Sequence, residues 1–523
     1  MRWIAGLRAD AARLDVGRIE ENLRKHFLGR NMSQSGYQAL GFTANPFNSS
    51  TAEREPEIAA YAVHPPYLDR TKEASLASCG AFFLEGARGS GKSATRITVA
   101  KQAFKGPGSP LFVSLATFNV FRPYLKGGLS VDLFATQIAF LVAETLLAWL
   151  SSLPEDERKE VTKSVKSEGV VYRFISNFYL NRADHSRSSS AKDAFDLLDT
   201  SLGGKTVIWA EKRWDSIAGI VATLAGAFGK KYADIDIGDP GAFQKLVEQQ
   251  RGDGFHDPVY TLARAVEVAR AFGFTGVVVQ VDKVDETEWT GSDLAAAADL
   301  ILPLLTNITL HEIDGLVWTF FIWDEVSRHA RATHGAKIRF DKIPNGEIEW
   351  EDKYLKDLLS RRMSYFSDHR VTHLSDISES SVDLNRVISD LILLTSKSPR
   401  QLISALDHIL SRHIQNSQGK PSKLSSAAYE SGMDSFAIKS LADSGLLEEA
   451  RTIGKMGLSV FVAKDVQGLF RQSSQSARKR IDSWINKRLV NQSGTRTTGG
   501  AGRPVDEFRV LDPRAIRVLE RRL

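Results

Sequence analysis

The stretch FFLEGARGSGKSATRITVA, from Phe82 to Ala100, constrains the fold of this 523-residue chain more than any other. Ala81 to Leu84 is an apolar run that predicts a short buried strand. It breaks at Gly86 and passes through a glycine-rich loop into a segment of helical character. Gly86, four residues, then Gly91-Lys92-Ser93 is the spacing G-x-x-x-x-G-K-S in the strand, loop and helix setting that a phosphate-binding loop needs. Gly86, Gly89 and Gly91 let the backbone take unusual angles, so that successive N–H groups face an anion at the positive end of the helix. With Ala87, Arg88, Ser90 and Ala94 they form the loop expected to enclose the phosphates of ATP. Lys92 is expected to bridge the β- and γ-phosphates and the Ser93 hydroxyl to ligate Mg²⁺. The alternative is a Gly/Ser turn that carries a lysine by chance, but it would demand neither the strand before nor the helix after.

At this length one core cannot serve, and roughly three or four domains are expected. A composition of 42% hydrophobic and 25% charged residues excludes wholesale disorder. The single cysteine, Cys79, excludes a disulfide framework and a cysteine zinc site, and is expected to be a small buried residue beside the first strand. The opening MRWIAGLRADAARLDVG meets Arg8 and Asp10 too soon for a secretory signal. Leu133 to Leu150 is nearly long enough to span a bilayer, but its Gln137 and Glu144 favour a buried core helix. These features predict a cytoplasmic protein with no membrane partner. The net charge of +5 is unevenly placed: Arg471 to Leu523 holds 13 Lys/Arg against 5 Asp/Glu, so a polyanion partner is expected there.

The expected organisation is α/β. An N-terminal helical segment (1–44), with Ile19, Leu23 and Phe27 at helical spacing, precedes a parallel-sheet core whose first part (45–153) holds the phosphate loop and a second strand near Pro110 to Leu115. A helical insertion (154–257) follows, because 190 residues separate Lys92 from the next strand ending in an acid. The second part of the core (258–345) contains GFTGVVVQVDKVDET. Its β-branched run Val277 to Val281 predicts a strand buried on both faces that delivers Asp282 at its C-terminal end, where a carboxylate can hold Mg²⁺ through water. An ordinary turn or capping acid is the alternative. Gly315 to Trp323 predicts another buried strand, with Asp324 at its tip.

Together the phosphate loop and the D-x-h-D-E arrangement of Asp282, Asp285 and Glu286 resemble STAND and NACHT-type ATPases and the origin-recognition branch of AAA+ ATPases. The resemblance implies a P-loop NTPase sheet with an α-helical lid (346–415) and a C-terminal winged helix-turn-helix (427–523). It also implies an ATP-dependent, homo-oligomerising switch. Lys283 stands where AAA+ enzymes carry the water-polarising Glu, so either Asp285 or Glu286 takes that role or hydrolysis is slow. By the same resemblance, Asn45-Pro46-Phe47 and Thr51 to Glu55 would lead toward the adenine, Asp324 would sense the γ-phosphate, and Arg331 or Arg339 would act as arginine finger. Pro399 would open a helix that brings Arg400 to the γ-phosphate.

A Gly/Ser/Pro/Lys stretch from Asn416 to Ser426 predicts a linker. Beyond it the pattern is helix, turn, helix, hairpin. Ala477, Ile481, Trp484 and Ile485 share one face of the second helix, which leaves Gln475, Arg478 and Lys479 outward beside a hairpin bearing Arg496 and Arg503. These five residues are the expected contacts to double-stranded DNA. The alternative is a signalling or anti-phage defence ATPase in which this module docks a separate effector protein.

Overall fold

The computed structural model describes residues 35–49, 51–55, 57–165, 167–180, 257–291, 293–418, 420–497 and 504–523. The chain divides into two compact units, Thr51–Glu349 and the described part of Met1–Ser50 together with Trp350–Leu523.

The first unit is built on five parallel strands: β1 (Gly80–Gly86), β2 (Leu111–Leu115), β3 (Val277–Val281), β4 (Leu316–Trp323) and β5 (Asn345–Glu347). They lie in the order β2-β3-β4-β1-β5. All five residues of β3 are buried, as the β-branched run requires of a strand covered on both faces. Each of its four valines adds about 1.5–3 kcal/mol of apolar burial. The polar member, Gln280, donates through Nε2 to the Arg96 carbonyl at 3.1 Å, while its buried Oε1 has no hydrogen-bond partner among the described residues.

Around the sheet run α1 (Pro66–Ser75), α2 (Lys92–Ala103), α3 (Val131–Ser152), α4 (Glu155–Ser164), α5 (Glu168–Ile175), α6 (Pro258–Ala271), α7 (Leu294–Thr306) and α8 (Asp324–His334). Helix α3 is the apolar segment expected in the core. It is long and apolar enough to cross a membrane, yet 89% of its most apolar window is buried, and it packs on β2 and α6. Gln137 and Glu144 are buried within it. Helix α6 starts where Asp257 accepts from the Val259 and Tyr260 N–H groups ahead of Pro258 at the first position. Of the expected insertion, α4, α5 and a one-turn π-helix (Ser176–Leu180) are described. The apolar segment WDSIAGIVATLAGAFG lies outside the described residues, as do Ile19, Leu23 and Phe27.

Cys79 corrects an expectation. It is exposed, because β1 begins one residue later and Leu76 to Cys79 form the turn beneath the sheet.

The second unit starts with the Asn45-Pro46-Phe47 segment folded into a helical core. Phe47 is buried, Asn45 donates to Asp407 Oδ1 at 2.7 Å, and the Pro46 carbonyl accepts from Arg362 Nε at 2.9 Å. That core comprises α9 (Asp352–Tyr365), α10 (Leu374–Ile377), α11 (Leu384–Leu394), α12 (Pro399–Asn416) and most of α13 (Ser426–Asp443). A second core joins the end of α13 to α14 (Leu447–Gly454), α15 (Ala463–Phe470), α16 (Ser474–Asn486) and α17 (Pro513–Arg521). These pack with an antiparallel sheet of β6 (Val460–Val462), β8 (Val505–Val510) and β7 (Val490–Arg496), in that order.

The stretch 416–426 does not behave as a free linker. Leu424 within it is buried and exchanges backbone hydrogen bonds with Ile377 and Glu379, and the helices it joins pack face to face. The approach is close enough that a Cβ on Gly432 would lie 2.7 Å from Ile409 Cα. Gly/Ser/Pro/Lys composition signals a turn-rich connection but carries no information about what the flanking helices bury.

Candidate functional site

Parallel pairing sets the ends of the strands at one edge of the sheet. Gly86 at the end of β1 is opposite Trp323 at the end of β4, and Val281, the last residue of β3, is opposite Phe320 and Leu115. Because β4 lies between them, β1 and β3 are two strand spacings apart, about 9–10 Å. Ligands of open parallel sheets bind at this edge.

The loop from Gly86 to Gly91 leaves β1 and enters α2 there. A Cβ on Gly86 would sit 2.6 Å from Ser90 Oγ and 3.0 Å from Ile348 Cβ, so a larger residue there would displace its neighbours in the turn. Gly89 and Gly91 take φ of 77° and 100°. Gly91 caps α2 and offers no side chain to its first N–H groups, which leaves them as anion donors. Lys92 opens the helix, and its Nζ donates to the carbonyls of Gly86 (2.8 Å) and Ala87 (3.0 Å). Burial lowers the Lys92 pKa, and Asp282, Asp285, Asp324 and Glu286 all oppose that shift. Lys92 and the three acids of the D-x-h-D-E pattern therefore share one electrostatic site. Ser93 and Ala94 follow in the first turn of α2, both partly buried.

Asp282 is buried just past β3. Its Oδ2 accepts from Arg96 Nε at 3.0 Å and its Oδ1 from the Lys283 N–H at 2.9 Å. Lys283 takes a left-handed φ of 61°, and its ammonium pairs with Glu53 Oε1 at 2.7 Å. Burial raises the Glu53 pKa, but the Lys283 contact, with help from Arg96, outweighs it and holds the carboxyl below its ordinary value. Lys283 is thus a cation neutralised by Glu53 of the Thr51 to Glu55 segment. Asp285 is buried and paired with Arg88, whereas Glu286 is exposed.

No family model matches the chain, and no curated protein matches it. A solved structure similar to it is a Walker-type ATPase of Pyrococcus abyssi, 9% identical with a TM-score of 0.36, over 88% of this chain and 96% of that one. The functional reading rests on the residues of the site. The parallel sheet with its glycine loop between β1 and α2 fits a P-loop NTPase fold.

Asp324 is the first residue of α8, and it pairs with Arg328 at 2.7 Å. Arg331 is exposed but engaged by its own unit: it pairs with Glu85 at 2.5 Å and lies 4.2 Å over the Phe340 ring. Arg339 pairs with its neighbour Asp341. Pro399 and Arg400 belong to the second unit, where Pro399 opens α12 behind the Ser398 cap and Arg400 is exposed.

In the C-terminal module Gln475, Arg478 and Lys479 are exposed on α16 while Ala477, Ile481 and Trp484 are buried. Ile485 is only partly buried. Arg496 on β7 is engaged by Glu507 of β8 at 2.7 Å. Arg503 lies outside the described residues.

Sequence reasoning missed Arg96 and took Glu53 only as part of the Thr51 to Glu55 segment expected near the adenine. Arg96, one turn after Lys92, is 5% exposed and joins α2 to Asp282, to Ser114 Oγ of β2 (2.8 Å) and, at 3.8 Å, to Glu53. The signal was present as an arginine on the sheet-facing side of the phosphate-loop helix.

Proposed function

We propose that this chain is an ATP-binding switch of the AAA+/STAND type that hydrolyses ATP and couples its nucleotide state to engagement of double-stranded DNA. The observation that carries the reading is the convergence of the Gly86–Ser93 loop, the Lys92 ammonium and buried Asp282 at one edge of the parallel sheet. The donor set fits Mg²⁺-ATP: open N–H groups at the start of α2, a lysine for the phosphates, and a hydroxyl and a carboxylate for the metal. Ser93 and Asp282 would hold Mg²⁺, which would supply charge neutralisation for the phosphates. Lys92 would exchange its loop carbonyls for phosphate oxygens. Glu286, exposed beside Asp285, would orient the attacking water. Lys283 cannot do so, and turnover rests on Glu286.

The C-terminal helix, turn, helix and hairpin support a winged-helix module in which Gln475, Arg478 and Lys479 face a duplex. The helical region before it would act as the lid, and assembly into homo-oligomers would accompany ATP binding in a cytoplasmic setting. The pairing of Arg496 with Glu507 favours a second reading of this module, in which it docks an effector protein rather than DNA.

The test is titration of Mg²⁺-ATP into the parent and Lys92→Ala. Loss of one charged hydrogen-bond donor costs about 1.5–3 kcal/mol, roughly ten- to a hundred-fold in affinity. Equal affinities refute the site.

A further inference from the structure

Arg88, third in the loop GARGSGKS, reaches out of the loop onto the turn after β3. Its Nε donates to Asp285 Oδ2 at 2.8 Å, and its Nη2 lies 2.7 Å from the same oxygen and donates to the Asp285 carbonyl at 3.2 Å. The guanidinium carbon is 4.2 Å above the Trp323 ring, at the tip of β4. One side chain of the phosphate loop is therefore fixed to the ends of two neighbouring strands. The Asp285 side chain is 6% exposed and that of Arg88 40%. A nearly buried carboxylate beside a loop built for a polyanion opposes the ligand unless it is neutralised in place, and the fork of a guanidinium does this with fixed geometry. Both side-chain contacts fall on Oδ2 and the carboxylate is nearly buried, so it offers a water molecule little access, whereas Glu286 is exposed.

We propose that Arg88 and Asp285 form a clamp that positions the phosphate loop and cancels the Asp285 charge, so that Asp285 is an anchor and Glu286 alone activates water. The proposal rests on the ATPase reading and assigns roles within the same site. Arg88 is a positioning residue here, acting on ATP through the loop that it holds.

The experiment measures Mg²⁺-ATP affinity and single-turnover hydrolysis in the full chain for the parent, Arg88→Ala, Asp285→Asn, the double variant and Glu286→Gln, with thermal unfolding of each. Arg88→Ala should weaken ATP binding at least ten-fold, because it exposes the loop to an uncancelled carboxylate. The double variant should regain the part of that loss due to the uncancelled charge and keep the part due to the unanchored loop. Asp285→Asn should keep at least half of the parent's turnover at saturating ATP, whereas Glu286→Gln should lose at least ten-fold with its affinity kept. Where Arg88→Ala does not fold, Arg88→Lys, which keeps the charge without the fork, should show a smaller loss of affinity, again relieved by Asp285→Asn. A double variant no better than Arg88→Ala, or an Asp285→Asn protein that binds ATP normally and does not turn it over, overturns the clamp. A parent that binds no ATP overturns the nucleotide reading itself, and the clamp with it.

Discussion

Replacing Arg96 with methionine should destabilise the Thr51–Glu349 unit more than any single change at its surface. The Arg96 and Asp282 side chains are 6% and 2% exposed, and the guanidinium also serves Ser114. Methionine fills much of the same volume but leaves Asp282 with the Lys283 N–H as its described partner. Breaking a buried ion pair from one side costs about 3–5 kcal/mol, since the charge left behind has lost both water and its counter-ion. In a unit of this size 1 kcal/mol moves the unfolding midpoint by about 2–4 °C, so the loss should be on the order of 10 °C. Scanning calorimetry of the parent, Arg96→Met, Asp282→Asn and the double variant checks this. The double variant should lose less than the two single losses combined, because neither change then strands a charge. A midpoint within about 2 °C of the parent for Arg96→Met, or strictly additive losses, would refute the reasoning.

Two further outcomes are expected. Because burial lowers the Lys92 pKa and only charged ammonium pairs with phosphate, ATP affinity should be full below that depressed value and fall as pH rises through it, before an exposed lysine would deprotonate. Titrations across the alkaline range in two buffers should show proton uptake on binding, and a profile identical in Lys92→Arg counts against this. In the tail, replacing Arg478, Lys479, Arg496 and Arg503 with alanine should flatten the salt dependence of DNA binding by roughly 0.9 in log-log slope per lost phosphate contact. Arg496 alone should contribute least, since Glu507 already holds it, and equal slopes for parent and variant would remove DNA as the ligand.

What was legible in the chain was what repeats locally. The phosphate loop, Val277 to Val281 and the apolar helix now bounded as Val131–Ser152 are visible because glycine spacing, β-branching and sustained hydrophobicity are local signals of backbone geometry and burial. The ionic connections were not legible. Glu53, Arg96, Asp282 and Lys283 meet only because the Arg96 side chain reaches from α2 to Ser114 and Asp282 while the Thr51–Glu55 segment packs beside α2, and Arg88 meets Asp285 across 197 positions of sequence. The linker expected at 416–426 failed for the same reason: the contact that pins Leu424 is made with residues near 378.

Helix α13 belongs to two hydrophobic cores at once. Tyr429, Met433 and Phe436 fill the first, Leu441 the second, and Arg517 and Arg521 of α17 are bonded back to Glu430 and Asp434 on its flank. The stretch most inviting to a molecular biologist's scissors is therefore the wrong place to cut. A fragment starting at 427 would display the bare aromatic side of α13, and one ending at 418 would leave Leu406, Ile409 and Leu410 uncovered. Such pieces should aggregate rather than fold, and the C-terminal module is not a cassette that recombination could exchange without carrying its supporting helix along.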